Sequence, residues 1–120
     1  MSFTTEMKED QIILKEDGNA LCWIKENLAP AGAIAELGGK LRADTAYVFQ
    51  DELNALASVK MDITLDLSQV EYLSNAHIQA FLAVQRSVDQ KGKELILKNL
   101  SAQAKAALDA VGVAALFDIR

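Results

Sequence analysis

The sequence predicts an α/β fold in which a mixed β-sheet carries helices mainly on one face. Its 120 residues are 51% hydrophobic and 24% charged, which is typical of one globular domain that buries a core without disulfides. Strand patterns fill the N-terminal third, and helix and strand patterns alternate after it. Strands that alternate with helices pair in parallel through crossover helices, so we expect one domain over residues 1–120.

The N-terminal third is expected to form a hairpin and one further strand. Short apolar runs bounded by turn residues predict strands at residues 11–15, 21–25 and 33–37. Asp17-Gly18 forms the predicted turn of the hairpin, and residues 27–32 are predicted to be a loop. Gly38 and Gly39 are expected to end the third strand, and the polar residues 1–10 are expected to be flexible.

The rest of the chain predicts three helices and two strands. Each helix is recognised by a capping residue followed by apolar residues at helical spacing. The capping residues are Asp44 or Thr45, then Ser74 or Asn75, then Ser101. The predicted inward-facing residues are Ala46, Phe49, Leu53 and Leu56, then Ile78, Phe81, Leu82, Val84 and Val88, then Ala104, Ala107, Leu108 and Val111.

The two remaining strands are predicted at residues 61–67 and 94–98. Apolar and polar residues alternate along the first of them, which is typical of a strand with one buried face. A loop is expected over residues 68–73. The C-terminal tail is expected to carry Leu116, Phe117 and Ile119 back to the core.

Charge and cysteine content argue against several classes of partner, and the cytoplasm is the expected location of the chain. The net charge is -5 and no basic run is present, which argues against nucleic-acid and anionic-membrane partners. Cys22 is the only cysteine, so no internal disulfide can form and a reducing compartment is expected. The chain shows neither a signal-peptide pattern nor an apolar run of about 18 residues.

The sequence offers little for catalysis. Nucleophilic catalysis needs a base within hydrogen-bond reach of the nucleophile, and the single histidine, His77, lies far along the chain from Cys22. We therefore expect Cys22 in the core and His77 on the surface in the first turn of a helix. No metal-ligand cluster or phosphate-binding glycine loop is present, so no cofactor or metal is expected. Trp23 is expected to pack within the hairpin, with a partner anchor as the alternative.

The most informative stretch is residues 66–82, DLSQVEYLSNAHIQAFL. It leads from a buried strand into a helix through two small polar residues, at the carboxyl end of the strand where α/β proteins place their sites. A serine hydroxyl at a helix start either caps the helix or accepts a phosphate. Capping is favoured on the pattern alone.

This stretch resembles the STAS domains of the anti-sigma factor antagonist family. The family pattern is Asp-Leu-Ser-x-Val-x-x-(Met/Ile/Leu)-Asp-Ser-Ser-Gly-Leu, and residues 66–78 here are DLSQVEYLSNAHI. Residues 39–46, GKLRADTA, are similar to the family's Gly-x-Leu-Asp-x-x-Thr-Ala, and residues 111–119, VGVAALFDI, are similar to its C-terminal pattern. Three segments in the family's order imply its STAS-like fold over residues 33–119.

The resemblance implies a bacterial signalling protein that binds an anti-sigma factor or serine-kinase-like partner and so controls transcription. In the family, phosphorylation of the first serine of Asp-Ser-Ser-Gly breaks that complex. This sequence has Asn75 at the acceptor position, Ser74 and Arg42 at the two aspartate positions, and His77 at the glycine position. Asparagine has no hydroxyl to phosphorylate, so the resemblance implies that the scaffold is kept while the switch is lost.

The sequence therefore predicts a non-enzymatic, partner-binding STAS-like domain. Its predicted partner-binding residues are Arg42, Ser68, Glu71, Tyr72, Ser74, Asn75, His77 and Gln79. Arg42 is expected to favour an acidic partner surface. Two alternatives stay open: phosphorylation at a displaced acceptor, Ser74 or more weakly Ser68, and binding of a nucleotide or lipid on the same scaffold. A homodimer also stays open, because the N-terminal hairpin could extend or cover the sheet edge.

Overall fold

The computed structural model describes residues 3–120, which form one mixed sheet and three α-helices. The strands are β1 (Thr4–Met7), β2 (Gln11–Glu16), β3 (Asn19–Ala29), β4 (Gly32–Leu41), β5 (Ile63–Leu73), β6 (Leu95–Lys98) and β7 (Asp118–Ile119). The helices are α1 (Ala46–Ser58), α2 (Asn75–Asp89) and α3 (Ala102–Ala110), with 3-10 turns at Ala43–Thr45 and Ala114–Leu116.

The sheet has seven strands in chain order, from β1 at one edge to β7 at the other. The first four strands pair antiparallel, and β4 to β7 pair in parallel through the helical crossovers. This arrangement confirms the predicted fold class. It also brings the carboxyl ends of β4 and β5 together, because Leu41 is in register with Leu73.

Strand alternation places the core between the sheet and the helices. In β5, Ile63, Leu65 and Leu67 are buried while the intervening residues are partly exposed. The predicted stripe of α1 is buried throughout, and Phe81 of α2 is among the largest fully buried side chains. The opposite face of the sheet is open, with exposed residues such as Glu36 and Lys98. Helices on one face of the sheet therefore match the prediction.

Two sequence predictions are wrong for one shared reason. Gly38 and Gly39 do not end the third predicted strand, and residues 68–73 do not form a loop. These segments extend β4 and β5 and pair with each other, but the pairing register shifts along them. In β5, two consecutive exposed residues therefore lie between buried ones. Bulges of this kind hide a strand from a search for strict alternation.

Gly38 and Gly39 serve close packing within β4. A Cβ on Gly38 would collide with the indole of Trp23 on β3. Gly39 has φ of +81°, and a Cβ there would meet the backbone of Leu21 and Cys22. Glycine at both positions lets β3 lie tightly against β4, which explains why these residues occur inside a strand.

The other differences lie near the chain ends and in one turn. Residues 4–7, expected to be flexible, form β1, which pairs with β2 and is joined to it by the Lys15–Glu6 ion pair. The loop predicted at residues 27–32 shrinks to a turn at Pro30 and Ala31, because β3 and β4 run on as a hairpin. Of the tail residues only Phe117 is buried, whereas Leu116 is 58% exposed. Val111, Leu116 and Ile119 were expected in the core and are exposed instead.

Candidate functional site

The candidate site lies where β4 and β5 end and α1 and α2 begin. The backbone N–H of Ser74 donates to the carbonyl of Leu41 at 3.0 Å, which ties the two strand ends together just before α2. The Ser74 side chain caps α2 by accepting from the backbone N–H of His77 at 3.3 Å. Ser74 is therefore the N-cap, which decides between the two capping residues left open by the sequence.

His77 is buried, and its prediction as a surface residue is wrong. Its side chain is 0% exposed and packs edge-on against Phe49 of α1, with ring centroids 4.9 Å apart. The sequence pattern missed this because His77 lies one position before the apolar stripe of α2, on the side that the start of α1 covers. In this conformation its side chain cannot touch a partner.

His77 and Ser74 form a buried hydrogen-bonded pair, with 2.8 Å between the Ser74 Oγ and the His77 Nδ1. The Ser74 oxygen already accepts from a backbone N–H, so we assign its hydroxyl as the donor to an unprotonated Nδ1. The His77 Nε2 is buried with no hydrogen-bond partner among the described residues. Burial lowers the pKa of His77 to about 4, so the imidazole is neutral at physiological pH.

The pairing leaves the Ser74 hydroxyl with both its oxygen and its proton engaged, and the side chain is only 4% exposed. Ser74, which was predicted to bind a partner, is therefore not accessible on the surface. The reason is its position: an N-cap side chain turns back toward its own helix, here into the interface between α1 and α2.

Cys22 is a core residue, as predicted. Its Sγ lies 3.9 Å from the Thr45 Oγ1, and burial raises the pKa of its thiol to about 11. A thiol with this pKa is protonated and unreactive at neutral pH. No hydrogen bond joins Cys22 to His77 within residues 3–120, and this part of the chain holds no cluster of metal-ligating side chains.

Arg42 is already paired with two carboxylates of its own chain, and its expected preference for an acidic partner stays a prediction. Its guanidinium donates to Glu16 at 3.0 Å and to both carboxylate oxygens of Asp44, at 3.0 and 2.9 Å. These two partners raise the pKa of Arg42, Glu16 first. Arg42 thereby links the end of β2 to the 3-10 turn before α1, two segments that lie far apart in the sequence.

The remaining predicted residues form an exposed surface around the pair. Asn75 and Gln79 lie on α2, and Ser68, Glu71 and Tyr72, which were predicted to lie in a loop, lie on β5. Tyr72 is 54% exposed, which suits an aromatic contact with a partner. We call the surface formed by Glu71, Tyr72, Asn75 and Gln79 the β5–α2 surface.

An open cavity of about 370 Å³ adjoins the β5–α2 surface. Its charged lining residues are Glu16, Asp17, Lys40 and Glu71, so negative charge prevails. A lining with excess negative charge does not favour phosphate-bearing ligands, and nucleotide or lipid binding stays an alternative. Trp23, the other proposed partner anchor, is partly buried against Gly38, in agreement with hairpin packing.

No helix of the described residues is long and apolar enough to cross a lipid bilayer.

The chain is similar to solved structures of anti-sigma factor antagonists. A putative anti-sigma factor antagonist from Thermotoga maritima matches with a TM-score of 0.63 at 18% identity, over 80% of this chain and 84% of that one. One from Mycobacterium paratuberculosis matches with a TM-score of 0.69 at 14% identity, over 82% and 84%. The anti-sigma factor antagonist SpoIIAA in its unphosphorylated form matches with a TM-score of 0.69 at 12% identity, over 81% and 87%. At these identities the likeness concerns the fold alone.

No curated protein matches the chain significantly. The family model described as "Mlab, STAS domain" matches residues 24–118, which covers β4 to α3 and most of β3. The match exceeds half of the chain and includes two of the three segments on which the sequence resemblance rests and all but the last residue of the third. The chain belongs to the STAS domain family.

Proposed function

We propose that this chain is a non-enzymatic regulatory domain that binds a protein partner through the β5–α2 surface. Its partner is an anti-sigma factor, the protein class that the names of its structural neighbours contain, or the serine-kinase-like protein that the sequence resemblance implies. The proposal includes a single domain over the whole chain and the cytoplasmic location expected from the sequence.

The proposal further holds that the serine phosphorylation switch is lost. The observation that supports it is that, at the start of α2, the exposed acceptor position is an asparagine and the neighbouring serine is buried as the helix cap. Asn75 is exposed at the position of the family's phospho-acceptor and has no hydroxyl. Ser74 has a hydroxyl, but it is buried and bonded to His77. Transfer of a phosphate to Ser74 would first have to break this pair and turn the side chain outward.

Affinity co-purification of the tagged protein from its native cells, with mass spectrometry, tests the partner class. Recovery of an anti-sigma factor or kinase-like protein supports the proposal, and reproducible recovery of a different class of partner contradicts it. The tested surface is then changed by Glu71→Lys, with Glu36→Lys as the matched control. Both residues are exposed glutamates on neighbouring strands, but Glu36 lies on the open face away from α2.

We expect Glu71→Lys to weaken recovery of the partner and Glu36→Lys to leave it unchanged, because only Glu71 lies on the proposed surface. Equal binding by both variants would rule out the β5–α2 surface as the contact. The switch is tested with a recovered kinase and ATP by intact mass. The wild-type chain should gain no phosphate and Asn75→Ser should gain one, whereas modification of the wild type at Ser74 would overturn the lost switch.

A further inference from the structure

Two partly buried glutamates lie away from the β5–α2 surface, between β3 and α1. Glu26 of β3 and Glu52 of α1 line the same small cavity, of about 100 Å³, with residues of the turn between β1 and β2. The Glu26 Oε1 is buried and accepts no hydrogen bond from any residue that the structure describes. A buried carboxylate oxygen without a donor is costly, so its environment requires explanation.

The groups around Glu26 do not supply a compensating positive charge. Glu9 and Asp10 of the turn also line the cavity and add negative charge. Among the described residues, Lys8 is the only cation in the lining, and its ammonium lies 3.7 Å from a carboxylate oxygen of Glu6. Lys25 neighbours Glu26 in sequence but points to the opposite face of the sheet, because side chains alternate along a strand.

A single proton bound by the two carboxylates would remove the repulsion between them. Two ionised carboxylates side by side repel each other, whereas a protonated carboxyl donates a hydrogen bond to its ionised neighbour. Burial first, and then Glu52, raise the pKa of Glu26 to about 7. The charge of the pair therefore changes near neutral pH, a range in which ordinary glutamates are fully ionised.

The pair also lies at a structural junction. The backbone N–H of Glu26 donates to the carbonyl of Asp10 at 2.8 Å, and the Lys8 N–H donates to the Gln11 carbonyl at 2.8 Å within the turn. The backbone of Glu26 thus holds the β1–β2 turn, while its side chain faces α1 through Glu52.

We propose that Glu26 and Glu52 form a proton-sharing carboxyl pair that holds α1 and the β1–β2 turn against β3 at mildly acidic pH and loosens this corner when the proton is lost. The device is independent of the partner proposed above. The folded pKa of Glu26 lies above its ordinary value of 4.5, so its stabilising contribution is complete below that pH and is lost as the pH rises through about 7.

The test is an NMR titration of the Glu26 side-chain carboxyl carbon between pH 4 and 9 in the wild type and in Glu52→Gln. We expect a midpoint near 7 in the wild type. In Glu52→Gln it should fall by about one unit or more, because the like charge is gone and an amide donor replaces it. A wild-type midpoint below about 5, the ordinary range of a glutamate, would overturn the proposal.

Hydrogen exchange of the residue-26 amide reports the loosening directly. Its protection factor should fall about thirtyfold between pH 5.5 and 8.5 in the wild type, because the proton is bound more tightly in the folded chain, with a pKa of about 7 against 4.5. It should stay constant in Glu26→Gln, which imitates the protonated carboxyl, and the control Glu36→Gln should behave as the wild type. Equal pH dependence of the protection factor in the wild type and Glu26→Gln would contradict the proposal that the carboxyl pair holds this corner, even if the midpoint near 7 were found.

Discussion

Replacing His77 by leucine should remove a specific part of the chain's acid sensitivity. The imidazole is 0% exposed, and burial lowers its pKa from 6.5 to about 4. At about 1.36 kcal/mol for each unit of pKa, this difference corresponds to about 3 kcal/mol. The unfolded chain binds a proton at His77 more readily than the folded chain does, so stability falls as the pH drops from about 6.5 to 4.

Urea unfolding of the wild type and His77→Leu at several pH values between 4 and 7.5 measures this effect. The gap between the two unfolding free energies should change by about 3 kcal/mol across the range, with the wild type losing more on acidification. The gap is the right quantity because Glu26 shifts stability in the opposite direction over much of the same range. Gln79→Leu, an exposed change on the same helix, is the control. Parallel curves for wild type and His77→Leu would refute a neutral, desolvated His77.

Other predictions concern the helix caps and the glycines. Ser74→Ala should cost about 1 kcal/mol for the lost cap and a further 1 kcal/mol or more for the unpaired Nδ1 of His77, so it should lower the unfolding free energy more than Ser101→Ala, which loses only a cap. Equal losses would show that the Ser74–His77 bond contributes nothing. Gly39→Ala should lower the unfolding free energy by at least about 2 kcal/mol, because φ is +81° and the added Cβ would lie only 2.9 Å from the Cys22 Cα. Gly92 has φ of +72° but open space around it, so Gly92→Ala should lower the unfolding free energy by only about 1 kcal/mol. Equal losses for the two variants would contradict the close packing of β3 on β4.

Local patterns were sufficient for the type and order of most elements. The alternation at Ile63, Leu65 and Leu67 and the stripe from Ala46 to Leu56 identified β5 and α1, and both sets are buried. Such patterns work because the period of a strand or helix shows which residues share a face. They fail at the ends of β4 and β5, where a bulge breaks the period and glycine fits a neighbouring strand instead of making a turn.

For the candidate site, too, the sequence determined one part and the tertiary structure the other. Family-like segments in the sequence located it at residues 66–78, and Asn75 by itself indicated a missing phospho-acceptor. Only the tertiary structure buried Ser74 against His77 and joined Arg42 to Glu16. It also brought Glu26 to Glu52. The exposure, charge and pKa of these groups depend on residues from other elements that pack against them, and a local sequence pattern carries no information about which elements those will be.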